Sequence, residues 1–103
     1  MSRRVKLHAD QWIVGTQTQS YAGPIAADFF VPDSENSELF DEYLRAEHAV
    51  IEMVQKQART LNAHEIVGYV LTLDPFAERT GRSGLSACIT GTAIRLHPDH
   101  QAT

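Results

Sequence analysis

Two consecutive stretches decide the fold: SELFDEYLRAEHAVIEMVQKQARTL at 37–61 and EIVGYVLTL at 65–73. Side-chain oxygens at 34–37 can accept from the free N–H groups of a helix start, so we expect a helix from that segment to about Leu61. Acidic residues near its start and basic residues near its end suit the helix dipole, and Asn62 is a common helix stop. The second stretch is rich in β-branched residues and almost continuously apolar, which predicts a strand covered on both faces.

The predicted helix is apolar over about half of its circumference, whereas a helix on one small sheet needs a stripe of roughly 100°. The apolar positions are Leu39, Phe40, Tyr43, Leu44, Ala46, Val50, Ile51, Met53, Val54, Ala58 and Leu61. Two explanations of this excess apolar width remain open. Either part of this face meets another subunit, or the segment 24–32, which we predict as a proline-bounded loop with a short strand, covers it.

The rest of the chain predicts a small antiparallel sheet. Residues 5–14 indicate one strand or two short ones, and 85–96 a long last strand that forms a hairpin with 65–73. We expect a loop at 74–84, a β-bulge at Gly91 where the apolar positions change parity, and a loose tail at 97–103. The predicted fold is therefore a single α+β domain spanning 1–103, with one long helix packed on the sheet.

Charge and composition exclude several classes of function. The chain has 103 residues, with nine Lys and Arg against thirteen Asp and Glu, and a formal net charge of −4. No basic field exists to bind nucleic acid, and no apolar run approaches the roughly 20 residues that span a membrane. Cys88 is the only cysteine, so no internal disulfide can form, and we expect a reducing, cytoplasmic location.

Two motifs carry a family resemblance. ARTLNAHEIVGY at 58–69 and ITGTAI at 89–94 resemble the YbjQ-like family, whose members end a long helix with Ala-x-x-Leu-(Gly or Asn)-Ala and close with a Gly-Thr-Ala strand. The resemblance covers about residues 42–96, and the chain departs from the family pattern before residue 37. It implies a dodecin-like α+β subunit that assembles into a ring, commonly a homo-pentamer. The family is often labelled heavy-metal-binding, and its function is largely unestablished.

The tail offers the strongest metal-ligand composition. His97 and His100 flank Asp99 in the sequence HPDH, and two imidazoles with a carboxylate can bind a divalent transition metal such as Zn²⁺, Ni²⁺ or Cu²⁺. The alternative is a solvated tail, because Pro98 prevents a regular helical presentation. Cys88 lies in the last predicted strand and is either a packed small residue or a soft ligand.

Glu47 falls on the apolar side of the predicted helix, where an unpaired carboxylate is costly. Arg95 and His64 are the candidate partners, in an ion pair or, alternatively, in a ligand site or an acid–base site. Trp12 and Tyr69 can form an aromatic wall for a flat ligand, or can simply pack.

We therefore expect a non-enzymatic, ring-forming protein that binds a metal ion or a small ligand at subunit interfaces, with Glu47, Cys88 and Arg95 as ligand-binding candidates. One alternative is a small enzyme with an interface active site that uses Glu47 or His64. Another is a purely structural interaction module. No phosphate-binding loop or nucleophile motif is present.

Overall fold

The computed structural model describes residues 5–9, 18–33 and 38–97. It is an α+β fold with one helix and a four-stranded sheet in the order β1-β3-β4-β2. The elements are β1 (Lys6–Leu7), β2 (Thr18–Pro32), α1 (Leu39–Thr60), β3 (Glu65–Arg79) and β4 (Arg82–His97). Strand β1 runs parallel to β3, whereas β2 and β4 and the β3–β4 hairpin are antiparallel. The sheet is thus mixed, which corrects the prediction of a purely antiparallel one.

The helix packs lengthwise on one face of the sheet. Its fully buried positions recur every four residues at Ala46, Val50, Val54 and Ala58. The sheet contributes the other half of the core: Ile25, Val31, Ile66, Leu85, Ala87, Ile89 and Ala93. Because alternate residues of a strand share a face, the odd positions of β4 from Leu85 to Ala93 lie under the helix.

The ends of α1 agree with the sequence where they are described. Asn62 has a φ of 58° and turns the chain into β3, as predicted. The helix begins at Leu39 with Glu38 as its first flanking residue, and the predicted start at 34–37 lies outside the described residues. The carbonyl of Leu61 accepts a 2.7 Å hydrogen bond from Nη2 of Arg95. Arg95 thereby satisfies one of the unpaired carbonyl groups at the helix end.

The predicted loop at 24–32 is wrong, because this segment belongs to the 15-residue strand β2. Pro24 and Pro32 suggested a break, but β2 is an edge strand, where a residue without an N–H group is tolerated if its backbone faces outward. The register with β4 is continuous from Pro24 to Pro32, opposite Thr92 to Gly84. Pro24 and Pro32 are an even number of residues apart, so both have the backbone direction that faces away from β4. Neither proline therefore removes a hydrogen bond between β2 and β4.

The predicted loop at 74–84 is also wrong. Strands β3 and β4 continue to a tight turn at Thr80–Gly81, where both residues have positive φ. A bulge between Asp74 and Ala77 accommodates Pro75, and the carboxylate of Asp74 accepts a 3.0 Å hydrogen bond from the N–H of Phe76. Pro75 and the turn at Asp74 therefore lie in a bulge within β3 and do not end the strand.

The bulge predicted at Gly91 lies instead on the neighbouring strands. The register shifts on β3 between Val67 and Val70 and on β2 between Tyr21 and Gly23, while β4 is regular. Glycine is favoured at position 91 for another reason: a Cβ there would lie 3.0 Å from Cγ2 of Ile66. On β3, Gly68 takes up the bulge with a φ of 60°.

Of the predicted first strand at 5–14, only Lys6 and Leu7 form strand among the described residues, since 10–14 lie outside them. Strand β4 ends at His97, and the rest of the predicted tail, 98–103, also lies outside the description. No helix in the described part of the chain is long and apolar enough to cross a membrane.

Candidate functional site

An exposed apolar flank runs along one side of the helix. Phe40 is 67% exposed and Leu44 is 38% exposed. Both share a helix face with half-buried Ile51, which lies eleven residues after Phe40 and seven after Leu44. Ile51 lies beside β1, on the β3 side of the sheet. Phe40 and Leu44 therefore extend the side of the helix that Ile51 presents to β1. Large apolar side chains left exposed in a row are typical of protein–protein contacts.

The outer edge of β3 has no described partner strand over most of its length. Strand β1 pairs with β3 only at Glu65 and Ile66, and no described strand pairs with its outer side further along. The N–H of Tyr69 points outward, since it donates to the carbonyl of His8. Leu71 and Leu73 follow the same alternation, so their backbone N–H and C=O groups face outward too.

The edge of β2 is open over a matching length. The side-chain amide of Gln57 accepts from the N–H of Ala26 (3.2 Å) and donates to its carbonyl (2.8 Å), which shows that the backbone of Ala26 faces outward. Asp28 and Phe30 share this alternation, and no described strand pairs with them on that side. Gln57 thus occupies the edge at Ala26 and leaves Asp28 and Phe30 open.

The two open edges overlap in height on the sheet. Cys88 of β4 faces Asp28 on one side and Thr72 on the other, so that Asp28–Phe30 and Leu71–Leu73 share the rows of Cys88 and Ala87 and are offset by one row. Both strands run antiparallel to β4 and hence parallel to each other. One copy of the chain therefore presents two complementary edges that overlap.

A cavity of about 470 Å³ lies at the end of the same flank. Its walls come from residues 5–8, from Ile51 and Gln55 of the helix, and from Tyr69 on the β3 bulge. Nε2 of Gln55 donates a 2.9 Å hydrogen bond to the carbonyl of Val5 and ties β1 to the helix. The volume is within the range of small-molecule sites.

Beside this cavity lies a pair of titratable groups that sequence reasoning missed. Nε2 of His8 is 3.5 Å from one carboxylate oxygen of Glu65, and the other oxygen accepts from the N–H of Lys6 at 3.2 Å. The buried Nε2 of His8 makes no hydrogen bond of good geometry. Only the parallel pairing of β1 with β3 brings these residues together, and no local sequence signal indicates it.

The predicted combination of Glu47, His64 and Arg95 is not assembled within the chain. Arg95 donates to the carbonyl of Leu61, and Nδ1 of His64 accepts a 3.1 Å hydrogen bond from the N–H of Leu96. Glu47 is half-buried in the middle of the helix, more than two turns before its end. The buried carboxylate of the helix is instead Glu42, which is 4% exposed and which sequence reasoning counted among the acidic residues of the helix start.

The candidate metal and thiol ligands are apart from this flank. Cys88 is a free, exposed cysteine on the sheet face away from the helix, because its neighbours Ala87 and Ile89 are buried beneath the helix. His97 is the last residue of β4, and His100 and Trp12 lie outside the described residues. Among residues 5–9, 18–33 and 38–97, no group of three His, Cys, Asp or Glu side chains can hold a metal ion. The metal role of His97 and His100 stays a prediction.

The architecture defines a class: a small α+β domain with one long helix on a mixed sheet, in which no described strand covers the outer edge of β2 or most of the outer edge of β3. A solved structure shares this fold. It is the crystal structure of a protein of unknown function from Pediococcus pentosaceus, assigned to the DUF74 family, which is the YbjQ-like family. The TM-score is 0.73 at 14% identity, over 89% of this chain and 97% of the other. No protein-family model and no curated protein matches the chain.

Proposed function

We propose that this protein is a non-enzymatic subunit of a closed homo-oligomer, and that its function resides in the assembled ring. The observation that carries the proposal is the pair of strand edges without a described partner that share two rows of the sheet, Asp28–Phe30 on β2 and Leu71–Leu73 on β3. The β3 edge of one copy pairs with the β2 edge of the next. This contact is heterologous, and such contacts generate rings when the rotation closes.

The apolar flank of the helix supports the same contact. Phe40 and Leu44 lie on the helix side that Ile51 turns toward β1, and both are exposed in the single chain. Segment 24–32, the alternative cover for the wide helix face, is a strand of the sheet and leaves them uncovered. A neighbouring copy docked on the β3 edge buries both side chains.

Gln57 and the prolines fix the position of the incoming strand. Pro24 and Pro32 lack outward N–H groups, and Gln57 already binds both backbone groups of Ala26. Only Asp28 and Phe30 lie open between them, which limits strand addition to one register and disfavours open-ended pairing. The resemblance to YbjQ-like proteins implies five copies in the ring.

A matched pair of variants tests this edge contact. Phe30→Pro removes the outward N–H group at a position equivalent to Pro24 and Pro32, whereas Phe30→Ala removes the same side chain and keeps the N–H group. We expect both variants to fold and only Phe30→Pro to lower the oligomer mass measured by light scattering. Equal masses for the two folded variants would contradict strand addition at β2.

A further inference from the structure

The cavity between β1, the helix and the β3 bulge has the volume of a small-molecule site and an open mouth. Val5 is fully buried, and Leu7, Ile51 and Tyr69 pack against the core, so one side of the cavity is apolar. Its volume of about 470 Å³ is large enough for a compact organic molecule.

Local backbone structure places Tyr69 at this cavity. The bulge at Gly68 interrupts the register of β3, and the N–H of Tyr69 then bonds to the carbonyl of His8 at 3.4 Å. Bulges often re-aim a side chain next to a functional site. The hydroxyl of Tyr69 hydrogen-bonds to no described residue and is available to a ligand.

The charge of the cavity wall favours an anion. Its described ionisable lining residues are Lys6, His8 and Tyr69, with no Asp or Glu among the described ones, in a chain whose formal net charge is −4. The nearby carboxylate of Glu65 is already engaged by the N–H of Lys6 and faces His8. The ammonium group of Lys6 forms no ion pair with a described residue.

We propose that this cavity binds a small monocarboxylate with a compact apolar body, with Lys6 and Tyr69 as its polar contacts. The apolar part of the ligand lies against Leu7 and Ile51, and the carboxylate is at the mouth beside Lys6. The inference stands on the single chain and does not depend on ring assembly. Because the mouth is open and one cation is involved, a nine-atom probe should bind with a Kd of about 1 mM.

Benzoate is the probe, and benzamide is the neutral molecule of the same shape. We expect benzoate to cause saturable shifts of backbone amide NMR signals at residues 6–8, Ile51, Gln55 and Tyr69, with weaker binding of benzamide. Lys6→Gln should weaken benzoate binding about fivefold. Lys56→Gln, which removes the same charge from an exposed position on the helix, should leave the Kd unchanged.

Three results would overturn the proposal: shifts scattered outside the cavity or absent at 20-fold the expected Kd (about 20 mM), equal binding of benzoate and benzamide, or equal losses in the two lysine variants. Tyr69→Phe provides a second check, because it keeps the ring and removes only the hydroxyl. We expect it to weaken benzoate about threefold. Unchanged binding in that variant would contradict the role of Tyr69.

Discussion

Replacing both exposed residues of the helix flank, Phe40→Ser with Leu44→Ser, should dissociate the assembly and leave the subunit folded. A phenylalanine that is 67% exposed in the single chain has about 130 Å² to bury, worth about 3 kcal/mol at about 25 cal/mol per Å². Leu44, at 38% exposure, adds about 1 kcal/mol. The sum, about 4 kcal/mol per interface, corresponds to roughly thousandfold weaker association.

The assay compares the oligomer mass across a dilution series with the thermal unfolding midpoint. Tyr21→Ser is the matched control, because Tyr21 is 65% exposed but lies at the other end of the sheet, opposite Ile94. We expect the double variant to be monomeric at micromolar concentration and the Tyr21 variant to keep the parent mass. If both variants retain that mass, the flank is not an interface and the reasoning is refuted.

Three further results are expected. Arg95→Met should lower the free energy of unfolding by about 1–2 kcal/mol in chemical denaturation, because it removes a charged hydrogen bond at the helix end; an unchanged midpoint would mean that this bond contributes nothing. Gly91→Ala should lower the free energy of unfolding by about 1–3 kcal/mol, since its Cβ would meet a core side chain at 3.0 Å. An unchanged free energy of unfolding would show that the core side chain can shift to make room for the methyl group. If His97 and His100 are metal ligands, truncation after Leu96 should abolish Zn²⁺ or Ni²⁺ binding in calorimetry, whereas retained binding would exclude the tail.

The helix and the central hairpin were predictable because their signals are local. Apolar periodicity over 39–61 and β-branched residues over 65–73 indicate the elements directly, and Asn62 marks the turn between them. The YbjQ-like motifs at 58–69 and 89–94 suggested the fold that the structural neighbour shares.

The long strands were missed because local breaker signals outweighed non-local pairing. Pro24, Pro32 and Pro75 indicated loops, yet two of them face outward on an edge strand and the third lies in a bulge. Strand pairing over 15 residues supplied a ladder that no local pattern revealed.

The candidate site was predicted only in part. The excess apolar width of the helix was visible in the sequence, and the structure leaves four of its large apolar side chains exposed: Leu39, Phe40, Leu44 and Met53. The cavity residues were missed apart from Tyr69, since β1 contributes only two strand residues and lies beside β3 through a parallel pairing. Glu47 and Arg95 were linked by charge alone, while the fold separates them along the helix.

The central claim, that the chain functions as a closed ring of identical copies, is tested most directly by the mass of the purified protein at micromolar concentration, measured by light scattering and native mass spectrometry. The open edges and the apolar flank predict one discrete species at a whole-number multiple of the single-chain mass, which the resemblance sets at five. A single species at the mass of one chain would contradict the account.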